Sequence, residues 1–302
     1  MLTPRSADAG TVAAVLARAH NYDAVVLDGS ARRDQIAAAL LGTAPRRPAL
    51  VIADSTWKRT GNRLERAAVR MMDGARTSFC VVSSFEAERF SATWGLRDSQ
   101  VHLTLWPFTV SEAQRSKPVA ENGRVFAGGD SLRDYGPLIA AANEIEAPVD
   151  IATRAPSDAW GATPGNVTVR AAPQIEYDEM LRCAAVVVVP LQPRTDRSSG
   201  QTTYVNAMAL GKAVVVTDAP GVRDYIEDGE TGVIVPAGDG PRMARAVQHL
   251  LDNPVERRKL GERAQAHALR HLTLAGYASR LLSVVDETLS APAPARATRN
   301  RR

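Results

Sequence analysis

Arg197-Ser-Ser-Gly-Gln-Thr-Thr-Tyr-Val-Asn-Ala-Met-Ala-Leu-Gly-Lys-Ala-Val-Val-Val-Thr-Asp218 is the stretch on which the reading of this chain turns. Ser198, Ser199 and Gly200 are residues that cap helices and let other groups approach the backbone. Alternating small and apolar residues then predict a helix from Gln201 to Leu210, with Gly211 as its stop and a β-branched strand at Ala213–Thr217. A helix that opens on a Ser-Ser-Gly loop presents free backbone N–H groups and the positive end of its dipole. At the carboxyl edge of a parallel sheet, such an end suits a diphosphate, with Gly200, Gln201 and Thr202 nearest to it. The same residues also describe an ordinary capped helix.

Working outward, short β-rich runs alternate with helical patterns along the whole chain, which predicts βαβ units and parallel sheets. Before residue 109 the strands are expected at Ala24–Leu27, Ala49–Ala53, Ser78–Val82 and Val101–Leu105. Helices are expected at Gly10–Ala19, Arg32–Leu41, Arg63–Met72 and Phe85–Trp94. A polar break at Thr109–Asn122, carrying Pro118, reads as a domain boundary. The pattern then restarts, with strands expected at Arg124–Ala127, Val149–Ala152, Val167–Arg170, Ala185–Val189, Ala213–Thr217 and Val233–Val235. Val186 to Val189 is an unbroken β-branched run, as in a central strand buried on both faces. Beyond Arg242 the apolar spacing is helical and reads as a cover for the sheet. The expected organisation is therefore one α/β domain over residues 1–110, a second over 121–289, and a basic tail over 291–302.

Two further segments carry possible chemistry. In Val125-Phe-Ala-Gly-Gly-Asp-Ser-Leu-Arg133 a strand ends in a Gly-Gly turn. Gly128 and Gly129 are read as letting a ligand approach the backbone. Arg133, placed at the start of the next helix, offers a forked cationic donor to phosphate, or else is a solvated surface residue. Ala219-Pro-Gly-Val-Arg-Asp-Tyr-Ile-Glu-Asp-Gly-Glu-Thr-Gly232 reads as a sheet-edge loop within reach of a sugar. Asp28 and Asp54 follow apolar strands and either bind an acceptor or cap their loops. His20 and His102 read as exposed or structural.

Taken in order, Phe-Ala-Gly-Gly…Arg-Asp-Tyr, Val-Val-Val-Val-Pro-Leu, Ser-Gly-Gln-Thr-Thr…Asn-Ala-Met-Ala-Leu-Gly-Lys-Ala-Val-Val-Val-Thr and Gly-Val-Arg-Asp-Tyr-Ile-Glu-Asp-Gly-Glu-Thr-Gly resemble the donor domain of the group 1 glycosyltransferases. The resemblance covers about 165 residues and is looser over the first 110. It implies the GT-B fold, two Rossmann-like α/β domains facing each other across a cleft, with the N-terminal, acceptor-side domain abbreviated here. It implies a retaining transfer from a nucleotide diphosphate sugar, UDP- or GDP-linked, to an acceptor. No resident cofactor or metal is expected, because a cationic side chain and a helix dipole would take its role.

The resemblance also marks departures. Gly129 stands where the family has an Arg, and Arg133 matches its Lys with one residue deleted between them. The family's two glutamates, one near the donor sugar and one on the ribose, fall on Ser198 and Asn206. Thr153-Arg154 replaces a Gly-rich turn and brings Arg154 over the base or phosphate. A catalytically weak or inactive relative that binds nucleotide or a partner is therefore the second reading. A sugar-nucleotide epimerase of the same fold is the third, and it needs acidic and basic groups that the sequence does not reveal.

Composition excludes other classes. The formal charge is +4 over 302 residues. Arg296, Arg299, Arg301 and Arg302 in the tail account for all of it, so a nucleic-acid surface is not expected. Cys80 and Cys183 lie in or beside apolar runs with no CxxC or Cys/His cluster, and both read as free thiols. No run reaches the roughly 18–20 apolar residues of a membrane span, and the first residues lack the apolar core of a signal peptide, so a cytoplasmic location is expected. The expected sheet of the first domain lacks the opening strands implied by the resemblance. Three explanations stay open: a start further upstream, a partner or second copy over the exposed edge, or a minimal domain capped by its first helix. A soluble monomer or homodimer is the expectation.

Overall fold

The computed structural model describes residues 4–44, 47–57, 63–117, 120–156 and 159–291, with backbone alone at 4–9 and 63–65. The expected basic tail falls outside the described residues, apart from Ala291. The chain divides into two compact units, one running to Thr104 and resuming at Ala278, the other spanning Leu105–Tyr277.

In the first unit, α1 (Pro4–Ala19) precedes β1 (Ala24–Asp28), α2 (Arg32–Gly42), β2 (Ala49–Ala53), α3 (Arg63–Met72), β3 (Thr77–Val81), α4 (Ser84–Trp94) and β4 (Val101–Leu103). The strands lie in chain order, all parallel. Strand side chains alternate between faces. Leu27, Leu50, Ile52, Phe79 and Val81 fall on one face and pack with Ala38 and Leu41 of α2, Val69 and Met72 of α3, and Phe90 and Trp94 of α4. Right-handed crossovers that always step in one direction put every connecting helix on that face. The opposite face of the same strands offers Val51 and Cys80, and these meet Val284 of α11 (Leu274–Ser290). The far end of the chain thus supplies what the local crossovers leave uncovered.

The second unit runs through α5 (Glu112–Ser116), β5 (Val125–Gly128), α6 (Gly136–Ala141), β6 (Val149–Ala152), β7 (Val167–Arg170), α7 (Gln174–Cys183), β8 (Val186–Val189), α8 (Gln201–Ala209), β9 (Ala213–Thr217), β10 (Val233–Val235), α9 (Gly240–Asp252) and α10 (Pro254–His271). Its six parallel strands lie in the order β10-β9-β8-β5-β6-β7. The direction of winding reverses between β5 and β8, which is where ligands enter sheets of this kind. Val187 and Val189 pack with α8 and α10 on one face, and Val186 and Val188 pack with α6 and α9 on the other. All four valines of β8 are fully buried. At roughly 1.5–3 kcal/mol per buried valine, this strand is a main contributor to the unit.

The structure differs from the sequence reading in local ways. The opening peptide is helical from Pro4, where a proline is tolerated because the first N–H groups of a helix have no partner anyway. The polar break holds α5, whose Ser111 and Gln114 form a reciprocal capping box. The segment after Thr104 belongs with the second unit. Trp106 N–H donates to Tyr225 Oη (2.8 Å), Phe108 N–H to Leu272 O (2.9 Å) and Thr109 N–H to Asn206 Oδ1 (2.7 Å). Arg133 does not begin a helix: it forms an isolated antiparallel bridge with Leu191, and α6 starts at Gly136.

Candidate nucleotide site

The site is built within the second unit, from the turn after β5, the turn after β6, and the loop from β8 into α8. In a parallel sheet these all lie at the carboxyl ends of the strands. The turn after β5 and the loop after β8 are zipped together: Asp134 N–H donates to Pro190 O and Gln192 N–H to Leu132 O, each at 3.0 Å. The Arg133–Leu191 bridge sits between these two bonds.

That zipper fixes where the Arg133 side chain goes. Only 9% exposed, its guanidinium donates from Nε to Gly128 O (3.0 Å), from Nη1 to Ser131 O (2.9 Å) and from Nη2 to Thr203 Oγ1 (3.0 Å). The surface reading of this arginine is therefore set aside. A buried guanidinium stays charged, and this one lies between the β5 turn and the first turn of α8. Tyr177 Oη bonds the same Thr203 Oγ1 (3.0 Å), and Tyr135 Oη donates to Gly129 O (2.7 Å). Burial pushes both phenols above their ordinary pKa against the opposing Arg133 charge, so both keep their protons.

The two glycines have a packing role that the sequence reading did not include. A Cβ on Gly128 would lie 2.5 Å from Tyr177 Cε2, and one on Gly129, whose φ is +108°, 2.6 Å from Arg133 Nη2. Their missing side chains make room for Tyr177 and Arg133.

At the start of α8, Gly200 occupies the left-handed region and no side chain caps the helix. The first helical bonds run from Thr203 N–H and Tyr204 N–H back to Gly200 O. The N–H groups of Gln201 and Thr202 precede them and lack an intrahelical acceptor. Around this end Ser199 Oγ donates to Ser131 O (2.8 Å), Arg197 Nη2 to Ser131 Oγ (2.9 Å) and Gln201 Nε2 to Ser198 Oγ (2.6 Å). Gly128, Gly129, Arg133, Ser198, Ser199, Gly200 and Gln201 are thus brought together, with Thr202 exposed on the first turn.

Arg154 stands at the next strand end, bound to Asp130 through its backbone N–H (2.8 Å) and Nε (2.7 Å), with its side chain 84% exposed. Burial pushes the Asp130 carboxyl up, but the hydrogen bonds from Arg154 and Thr153 prevail and hold it below the usual carboxylate range. Asn206 lies further along α8, 9% exposed, with its amide on Thr109.

The sequence reading missed Thr203, Tyr177, Ser131 and Asp130. Thr203 had a usable signal, since the third residue of a helix after a glycine cap faces the same loop as the cap. Tyr177 had none, because its place depends on the packing of α7 over β5. In the first unit Asp28 accepts from Ser30 N–H (2.8 Å) and Ser30 Oγ (2.7 Å), the loop-capping alternative. Among the described residues no cluster of three His, Cys, Asp or Glu is placed to hold a metal ion, and no helix is long and apolar enough to cross a membrane.

Residues 132–253 match the family model for glycosyl transferases group 1. The alpha-D-kanosaminyltransferase of Streptomyces kanamyceticus is 34% identical over 83 residues, 28% of this chain and 22% of that protein. The phosphatidyl-myo-inositol mannosyltransferase of Mycobacterium leprae is 39% identical over 94 residues, 31% of this chain and 25% of that protein. These matches therefore span about a quarter or less of the relatives' lengths. Among solved structures, HepE of Anabaena in complex with UDP superposes with a TM-score of 0.71 at 17% identity, over 91% of this chain and 82% of HepE. That likeness shows the fold. The match to the group 1 glycosyltransferases is thus confined to residues 132–253, and the two parallel sheets of this chain are those of the GT-B fold.

Proposed function

We propose that this chain is a retaining glycosyltransferase that moves a sugar from a nucleoside diphosphate sugar, UDP- or GDP-linked, to an acceptor hydroxyl. The observation that carries the reading is Arg133, buried and clamped beside an α8 N-terminus that no side chain caps. A fixed cation and two free N–H groups are what a leaving diphosphate requires. In the transfer the bond from the anomeric carbon to the diphosphate oxygen breaks, and that oxygen takes the electron pair. The acceptor hydroxyl attacks from the same face and its proton passes to the departing phosphate. Donors fixed in advance where this charge develops are the largest catalytic contribution such a site can make. No protein nucleophile is needed. HepE, solved with UDP and with UDP-glucose, supports the donor class.

A thermal-shift series with UDP, GDP and their sugars tests the reading. Ligand at about a hundred times its Kd stabilises the native state by roughly 2.7 kcal/mol. An unmoved Tm with every nucleotide would overturn it.

One observation favours a second reading, a nucleotide-binding protein with weak or no turnover. Ser198 and Asn206 bring no negative charge, and Gln201 and Thr109 already occupy their side chains. Tight UDP binding with neither transfer nor slow hydrolysis of any donor would select it.

A further inference from the structure

We infer that His267 and His271 on α10 form a site for a divalent late transition metal, with Cu²⁺ bound most tightly and Ni²⁺ and Zn²⁺ less so. The site is independent of the nucleotide reading.

Histidines four residues apart lie on one face of a helix, one turn above the other. Here their ring centroids are 4.9 Å apart and the ring planes are tilted by 50°. A metal bonded to one nitrogen of each ring at about 2.0–2.1 Å would sit about 3.2 Å from each centroid. Nitrogen–metal–nitrogen angles of about 90–110°, those of square and tetrahedral sites, then put the centroids about 4.5–5.2 Å apart. The observed separation falls inside that range, so the two rings need no large movement to chelate.

Their nitrogens are also free to bind. His102 is held by Ser78 and Glu287, and His249 by Glu256 and Asn253. Neither His267 nor His271 has a hydrogen-bond partner among the described residues. A neutral imidazole leaves one nitrogen with an open lone pair. That donor suits copper, nickel and zinc, whereas Mg²⁺ and Ca²⁺ take oxygen.

The backbone that carries the pair is fixed. Ala264 and Ala268 are fully buried in the core, Gln265 Nε2 donates to Ala209 O (3.0 Å), and a Cβ on Gly261 would lie 2.1 Å from Gly211 O. Just past His271, Leu272 N–H donates to Ala268 O and Leu272 O accepts Phe108 N–H. Two ligands on a rigid element lose little freedom on binding, which is what lifts a two-point site above a single imidazole.

The charges that act on His267 oppose each other. Arg270 disfavours a cation there and the Glu227 carboxylate favours one. Arg270 is drawn back along the helix by its bond from Nε to Ala266 O (3.1 Å). No third histidine, cysteine or carboxylate joins the pair among the described residues, so water completes the coordination.

Titration of the full chain, free of any affinity tag, with copper(II) near neutral pH tests the inference. Calorimetry reads the affinity, and electron paramagnetic resonance reads the ligands. The expected result is one tight copper per chain whose spectrum carries two imidazole nitrogens. His267→Asn and His271→Asn should each weaken binding by about 100-fold, the low end of what linking two binding groups contributes. His249→Asn should leave it unchanged.

A parent that binds no copper, or whose spectrum carries fewer than two imidazole nitrogens, would overturn the inference whether or not either variant folds. Affinity that falls in only one of the two variants would show a single imidazole and no chelate, and would also overturn it. Affinity kept in both would place the copper elsewhere, with the same consequence.

Discussion

The strand ends of the two sheets use polar side chains differently. At the end of β1, Asp28 accepts from Ser30, two residues away. In the second unit Arg133 reaches Thr203, 70 residues on, while Ser199 and Arg197 reach Ser131 across 68 and 66 residues. Bonds of the first kind shape a turn that would form almost anywhere. Bonds of the second kind hold two loops in one arrangement, the preorganisation that a binding site requires and a set of separately capped loops lacks.

The comparison predicts where each unit is fragile. In the first unit it should be at packing, and the sharpest point is Gly42, the last residue of α2. A Cβ there would lie 1.8 Å from Met71 O of α3, against backbone that has no rotamer to change. Gly42→Ala is expected to cost about 3 kcal/mol, the upper end for overpacking, seen as a fall in Tm with UDP affinity per folded molecule unchanged. A variant as stable as the parent would show that α2 and α3 are free to part.

In the second unit the fragile point should be charge. Arg133→Ala is expected to weaken UDP binding by about 10–100-fold, following the roughly 1.5–3 kcal/mol of a charged hydrogen bond, and to leave uridine binding unchanged. Equal losses for UDP and uridine in calorimetry would assign Arg133 to the scaffold alone. Thr203→Val is a milder break. It removes an oxygen shared by Arg133 and Tyr177 while keeping the shape, so about 1 kcal/mol of stability and a smaller loss of UDP affinity than Arg133→Ala are expected. A larger loss than that of Arg133→Ala would mean that Thr203 itself contacts the phosphate.

How far the sequence revealed all this follows the same division. Short apolar, β-rich runs between helical patterns make strands legible, and β2, β6, β7, β9 and β10 fall where the pattern puts them. The glycine-capped start of α8 was legible from Ser-Ser-Gly, since local chemistry makes it. Arg133 was legible as a residue but not as a geometry. Its burial comes from the β5–β8 zipper, a pairing of segments about 58 residues apart that no local pattern encodes. The packing of Tyr177 beside Gly128 was hidden for the same reason, because what fills the space beside a glycine arrives from elsewhere in the chain. Asn206 is the most instructive residue. Its position on the helix was evident, but its partner Thr109 lay in a stretch that composition marked only as a linker.

The smallest predicted effect sharpens the comparison from the side of the first unit, where a titratable group is held by packing rather than by a ligand. His102 on β4 lies 3.2 Å from Ser78 Oγ through Nε2, and 3.5 Å from Glu287 Oε2 through Nδ1, beside a cavity of about 340 Å³ that includes Arg97. Burial lowers its pKa below the ordinary 6.5, and the Glu287 carboxylate only partly opposes this. The folded protein therefore holds the neutral imidazole, and the unfolded chain takes up the proton first as the solution is acidified. Stability from this group is complete above pH 6.5 and is lost as pH falls through 6.5 toward the folded value. Between pH 8 and pH 5.5 the parent should lose slightly more Tm than His102→Asn, which cannot titrate. Were the parent instead to gain on the variant over that range, the imidazolium–Glu287 pair would outweigh burial, and His102 would be a charge-paired group like those of the second unit.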